Sequence, residues 1–518
     1  MADKPNVLMI VVDCLRSDRV FGEHRTCRTP QLDALMARST RVPNMFVENS
    51  ITAPAFTTIF TGCYSLAHGV TGLLGVKMND EMFTLADAFM ANGYYTIAEA
   101  TGPLLPMLGI DQGFDEFNYR EQQEYFFKPW GGKLVNRLAG GGLPEPWFMM
   151  VHLWELHEPR QVPAEFDTEE FGASRYDRAL SCLDEYIGRL VAAAGEDTVI
   201  VFTGDHGERV DEKSAADTLL PYFLDKLGLS ELSGEDDTRV GEDIDLLGKR
   251  GAELQTVMQS LMARTAMAES RLPIGTRFKL IGNLLKIGMT RTLMQKRKPG
   301  WAGFVEFLSM KWKDFLVGWA VFRGDSHAAQ RYMMRDTMRH IINQHGYHIY
   351  DYLSRVPFAI RYPEALPADK TAVSEVRNID IFPTLCDALN LDVPSVPWHG
   401  ASFVEAMRNG VVESRPLYME TRGGTQAVYA FYIRGVRSAG YKVAYAPNEE
   451  SAPVELYRLT EDGNEVRNLA EKDPDVVARL REEAETMSQT FAAGGEGKQL
   501  SAEEQEKMIA KLKSLGYM

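Results

Sequence analysis

The chain has 518 residues, a formal net charge of −16, 45% hydrophobic residues and 25% charged residues. The length predicts two or three packing units, and the composition excludes the disordered and collagen-like classes. The acidic balance argues against nucleic acid as a partner, yet it admits an anionic substrate wherever a metal ion inverts the local field.

The opening stretch, MADKPNVLMIVVD, has no basic region followed by a long apolar run and a cleavage site. Together with five scattered cysteines and no CxxC pair, this predicts a cytoplasmic protein with reduced thiols. Val7–Val12 is continuous and apolar, as a buried parallel strand is, and Asp13 ends it. A helical pattern follows in TPQLDALMARS. ENSITAPAFTTIFTG then sets Thr52 and Pro54 at the head of a helical stretch closing on Gly62. A threonine there is either an N-cap or a nucleophile in need of activation.

TLADAFMANG reads as a helix with a glycine stop, and strands follow at Tyr94–Ala100, Trp147–Leu153, Thr198–Gly204 and Val356–Tyr362. SRYDRALSCLDEYIGRLVAAAG is the long helix before the third of these. Strands alternating with helices predict an α/β fold, with a large mostly parallel sheet flanked by helices. His152, inside an apolar strand, reads as a core residue.

Residues from about 213 to 340 interrupt the alternation. Arg271–Arg323 carries eleven Lys/Arg against Glu306 and Asp314, with Trp301, Trp312 and Trp319 interleaved. Three readings stand open: a helical lid, a surface that meets anionic membrane peripherally, and a homo-oligomer interface. From about Tyr418 short alternating strands predict a smaller antiparallel sheet, followed by two polar helices. The expected organisation is a catalytic domain over 1–415, with the insertion inside it, and a C-terminal α+β subdomain over 416–518.

Asp13 and the pair Asp205–His206 in TGDHGE both follow strand ends, where open α/β sheets bind ligands. Two carboxylates and an imidazole can hold a divalent cation, and a cation can acidify a coordinated hydroxyl. That is the activation Thr52 requires.

The ordered pieces NVLMIVVDCLRSD, TAPAFTTIFTG, HGVTG, GIDQGFDEF, VHLWELHEP, VFTGDHGE, HGYHIYDYLSRVPFAIRYP, NIDIFPTLCDAL and ELYRLTEDGNEVRNLAEKDP resemble the alkaline-phosphatase-like sulfatase superfamily. The resemblance covers nearly the whole chain apart from the insertion. It implies a metal held by Asp13, Thr52, Asp205 and His206, with His157 protonating the leaving group and His345 contacting the substrate oxyanion. Where sulfatases carry the cysteine that becomes formylglycine, this chain has Thr52, and Phe56 replaces the motif arginine. Both departures resemble the threonine-using branches that act on phosphate esters.

Leu153 stands where two-zinc members have an aspartate, so a single ion is expected, with Mn²⁺, Mg²⁺ or Ca²⁺ favoured over Zn²⁺. Cys14, an atypical ligand, is set aside from the ligand set, and His348 is a weaker candidate than His345 for the substrate contact. His68 is read as shaping a loop, and Arg16 as pairing with a carboxylate. The expected activity is hydrolysis of a phosphate mono- or diester, or a phosphonate, through a phospho-threonine. The alternatives are a phosphoglycerol or phosphoethanolamine transferase and a non-catalytic protein of the same fold.

Overall fold

The structure, a computed structural model, describes residues 4–23, 25–73, 76–158, 160–210, 345–410, 414–422, 432–448, 452, 454–492 and 497–514. The insertion at about 213–340, with its basic 271–323 segment, lies outside the described residues. Met1–Val210 and Gln344–Met518 together form one compact unit.

The principal elements in chain order are β1 (Val7–Val12), α1 (Pro30–Ala37), β2 (Thr40–Phe46), α2 (Thr52–Thr61), β3 (Tyr95–Ala100), β4 (Glu116–Tyr119), β5 (Trp147–Leu153), α3 (Arg175–Ala194), β6 (Val199–Gly204), β7 (Arg355–Arg361) and β8 (Val376–Arg377). They build a sheet of order β8-β2-β7-β6-β1-β5-β3-β4, and a short strand, Lys370–Thr371, pairs with β2. Every pairing is parallel except those of β7, which runs antiparallel to both β2 and β6.

Central β1 shows why a continuous apolar run is needed. Val7, Met9 and Val11 face one layer, which includes Phe56, Ile59 and Phe60 of α2. Leu8, Ile10 and Val12 face the other, with Tyr176, Leu180, Leu183 and Ile187 of α3. Covered on both sides, β1 is apolar at every position until it ends. Val12 lies in register with Leu153 of β5 and Gly204 of β6, so the three strands finish together. The residues that follow, Asp13 and Asp205, emerge side by side at that edge.

A second sheet, β9 (Leu417–Thr421), β10 (Ile433–Ser438), β11 (Tyr441–Tyr445) and β12 (Glu455–Arg458), is antiparallel throughout. Helix α4 (Pro474–Ala492) packs on it through Leu480 and Ala484. The last helix, α5 (Ala502–Ser514), turns back to the first sheet. Its Met508 and Leu512 are fully buried in the α2 layer. The strand Lys498–Gln499 pairs with Val76–Lys77 on the way. Among the described residues, no helix is long and apolar enough to cross a membrane.

Candidate active site

Thr52 is the first residue of α2, and Ile51 is its N-cap. The hydroxyl does not cap the helix. Thr52 Oγ1 lies 3.2 Å from Asp13 Oδ2 and 3.2 Å from His206 Nε2, and the residue is almost fully buried. The left-handed Gly62 (φ 63°), tight against the Trp398 side chain, closes the helix. Asp205 Oδ1 accepts the backbone N–H groups of Cys14 and His206 at 3.3 and 2.7 Å, which turns Oδ2 toward His206 Nε2, 3.7 Å away. His206 Nδ1 donates to the Gly207 carbonyl at 2.8 Å, so Nε2 is the acceptor facing Thr52. Gly207 has no room for a side chain, since a Cβ would stand 2.2 Å from the Tyr352 carbonyl oxygen.

Asp13, Asp205 and His206 each present a donor atom within 4.8 Å of the others. Burial, reinforced by Asp205, raises the Asp13 carboxyl well above its usual range. Burial also works to raise Asp205, but His206 and His152 outweigh it and hold that carboxyl low. Asp13 Oδ1 and Asp205 Oδ2 are buried without a hydrogen-bond partner. Two close carboxylates, orphaned oxygens and an acceptor imidazole make a donor set that fits a divalent cation. The same observations would be costly without one.

His157 and His345 stand beside this group. The His345 ring stacks on His206 with centroids 4.9 Å apart and meets His157 edge-on at 5.1 Å. His157 stacks on Trp154 at 3.9 Å, and its Nδ1 donates to the Glu158 carbonyl at 2.6 Å. Burial and the neighbouring His345 push His157 well below the ordinary imidazole range. His345 moves the other way. Burial works to lower it, but Glu208, 3.0 Å from its Nδ1, holds it above that range.

Every residue expected from the sequence therefore gathers in one buried cluster: Asp13, Thr52, Asp205 and His206, with His157 and His345 alongside. Arg16 pairs with Asp18 at 2.7 Å, as read. His68 Nδ1 accepts the Val70 N–H and its Nε2 lies 3.0 Å from Thr58 Oγ1, a loop-shaping role. His348 sits 3.3 Å from Glu455, at the second sheet.

Three residues belong near the site that sequence reasoning set aside or passed over. His152 is no ordinary core residue. It is fully buried, with Nε2 3.7 Å from Asp13 Oδ2 and 3.8 Å from Asp205 Oδ2. Cys14 has a left-handed backbone (φ 61°) and groups with His206 and His345 in a second donor cluster. Burial, then Asp13, raises its thiol well above the usual range, which keeps it protonated. Glu208 joins His345, Cys14 and Arg160; the only signal for it was its place at the end of GDHGE.

Comparison with known proteins agrees with this fold. The Sulfatase family matches residues 5–229, and the family described as N-sulphoglucosamine sulphohydrolase, C-terminal, matches residues 344–490. An N-acetylglucosamine-6-O-sulfatase of Bacteroides thetaiotaomicron is 22% identical, the match covering 92% of this chain and 86% of that protein. Among solved structures, the phosphonate monoester hydrolase of Agrobacterium radiobacter has a TM-score of 0.57 at 17% identity, covering 94% of this chain and 96% of the other. A 2-O GAG sulfatase gives 0.55 at 15%, covering 95% and 93%. Sulfatase-family enzymes use a divalent metal, as the donor set here leads one to expect. The chain belongs to the sulfatase family of hydrolases, within the alkaline-phosphatase-like superfamily.

Proposed function

We propose that this protein hydrolyses phosphoester bonds, of a phosphate or phosphonate ester, with Thr52 Oγ1 as the nucleophile. The observation that carries the reading is the placement of that hydroxyl, buried at a helix N-terminus and 3.2 Å from both Asp13 Oδ2 and His206 Nε2. A helix N-terminus favours an anion, here the phosphoryl group. A threonine cannot become formylglycine, which argues against the sulfate chemistry of the relatives. The phosphonate monoester hydrolase among the structural neighbours shows a phosphorus ester handled on the same fold.

Asp13, Thr52, Asp205 and His206 would hold a divalent cation, which would acidify the hydroxyl and offset charge developing on the phosphoryl oxygens. Oγ1 attacks phosphorus as its proton passes to Asp13 Oδ2. The bond to the leaving oxygen breaks, and that oxygen takes a proton. The family resemblance assigns this proton to His157. The electrostatics favour His345, which Glu208 holds above the ordinary imidazole range, over His157, which burial and His345 push below it. We therefore assign the acid role to His345 and let His157 accept a proton from the water that cleaves the phospho-threonine. Thr52 recovers its proton from Asp13, and solvent returns His157 and His345 to their starting states.

The test is a panel of aryl phosphate mono- and diesters, phosphonates and sulfates with added Mn²⁺, Mg²⁺, Ca²⁺ or Zn²⁺, with and without an acceptor alcohol. Thr52→Ala should lower phosphoester turnover by roughly 10³-fold or more, and acid quench should trap phosphate on the Thr52 peptide. Sulfate-ester turnover that survives Thr52→Ala would refute the assignment.

A further inference from the structure

Glu208 is buried, although no role for it follows from the strand-end logic that places Asp205 and His206. The Gly207 N–H donates to the Leu353 carbonyl at 2.7 Å, and the Tyr352 carbonyl fills the space a Gly207 side chain would need. The chain is thereby pinned, and the Glu208 carboxylate turns inward. Its Oε1 accepts the Arg209 N–H at 2.7 Å. Its Oε2 collects His345 Nδ1 at 3.0 Å, Cys14 Sγ at 3.6 Å and Arg160 Nη2 at 3.7 Å.

The backbone beside His345 is also held. The Gly346 N–H donates to Ser50 Oγ at 3.0 Å, two residues before Thr52, and Thr421 Oγ1 donates to the Gly346 carbonyl at 2.6 Å. The ring is thus fixed at both ends: backbone to the nucleophile loop, Nδ1 to Glu208. A carboxylate without a proton can only accept, so Nδ1 carries the hydrogen of this contact and Nε2 is the nitrogen presented to the site.

We propose that Glu208 is the positioning residue for His345, keeping hydrogen on its Nδ1 whether the ring is neutral or charged and aiming Nε2 at the phosphoryl group. The step that uses Nε2 rests on the function proposed above; the selection of the ring form by Glu208 does not.

Two readouts separate the two claims. Long-range ¹H–¹⁵N correlation spectra of ¹⁵N-histidine-labelled protein, assigned with His345→Gln, report which ring nitrogen bears hydrogen. Wild type is expected to hold hydrogen on Nδ1 of His345. Glu208→Ala should lose that preference, while Glu208→Gln should retain it, since the amide oxygen still accepts. In turnover of an aryl phosphate ester, Glu208→Ala should lower kcat by roughly 10²-fold, the scale of a misplaced catalytic group. The loss should vanish when His345 is already Ala, because the two act as one unit. An unchanged His345 ring form in Glu208→Ala, additive losses in the double variant, or loss of bound metal measured by elemental analysis in Glu208→Gln would each overturn the proposal. If the ring form responds as expected while His345→Ala turns over normally, the positioning stands and the acid role of His345 falls.

Discussion

Glu48 offers a sharp test of the electrostatics behind the nucleophile helix. It is fully buried four residues before Thr52. Thr58 Oγ1 donates to its Oε1 at 2.7 Å, and Ser65 Oγ lies 3.1 Å from its Oε2 and 3.0 Å from Glu420 Oε1. The Tyr418 hydroxyl donates to Glu420 Oε2 at 2.8 Å. A serine hydroxyl has one proton, so it cannot donate to two carboxylates. One of the two contacts requires a proton on a carboxyl, and burial, with Glu420 adding to it, pushes Glu48 up to about 8.

An unfolded glutamate titrates near 4.3. The folded value is raised, so the contribution is fully present below the unfolded value and is lost as pH rises toward about 8. At about 1.4 kcal/mol per pH unit, the loss between pH 5 and pH 8 is on the order of 4 kcal/mol. Glu48→Gln cannot ionise, yet its amide can accept from Thr58 and donate to Ser65. Urea unfolding of both proteins across this range isolates the term, because other titrating groups cancel in the difference. Wild type should lose stability relative to the variant by that amount. Curves that stay parallel within about 0.5 kcal/mol, the usual scatter between independent sites, would mean that Glu48 is ionised in the folded protein and that the proton count is wrong.

Three further outcomes follow from the same structure. Leu512→Ala should cost about 2–5 kcal/mol, read by denaturant unfolding, because that side chain is fully buried against the first sheet. Gly207→Ala forces a Cβ to 2.2 Å from the Tyr352 carbonyl. It should therefore weaken divalent-metal binding, read by titration calorimetry, by roughly ten- to a hundred-fold, the range for disturbed support of metal ligands. Turnover should need His345 protonated; since Glu208 raises it, activity should persist above the ordinary imidazole range and fall as pH rises through the raised value. In Glu208→Gln the falling limb should move to lower pH.

What could be read in the sequence and what could not divide along one physical line. Asp13 and Asp205 were legible because β1 and β6 are near-continuous apolar runs, and the first carboxylate after each marks its end. Thr52 was legible because Pro54 and Gly62 stand where the family's nucleophile motif has them, at the start and the end of one helix. His152 was not legible. In WFMMVHL it occupies a position where a core residue is expected, and nothing local distinguishes it. Its meaning comes from strand order: β5 lies beside β1, Val11 pairs with His152, and that register puts the imidazole next to Asp13. Strand order is a long-range property, and single-sequence periodicity carries none of it.

The same reasoning explains Glu208 and the terminal helix. Glu208 acquires its role from His345, 137 residues away, across an insertion that breaks the alternation. Met508 and Leu512 read as two apolar residues in a charged helix, yet both are fully buried because Lys498–Gln499 pairs with Val76–Lys77 and returns the chain to the first sheet. Local pattern and family resemblance together thus identified the groups able to do chemistry. The partners that set their charge and orientation arrive by tertiary contact. A site of this kind is consequently tested less by removing the named ligands than by removing those partners. Loss of Asp13 or His206 would be expected from any metal hydrolase, whereas the ring form of His345 without Glu208 depends on this particular arrangement.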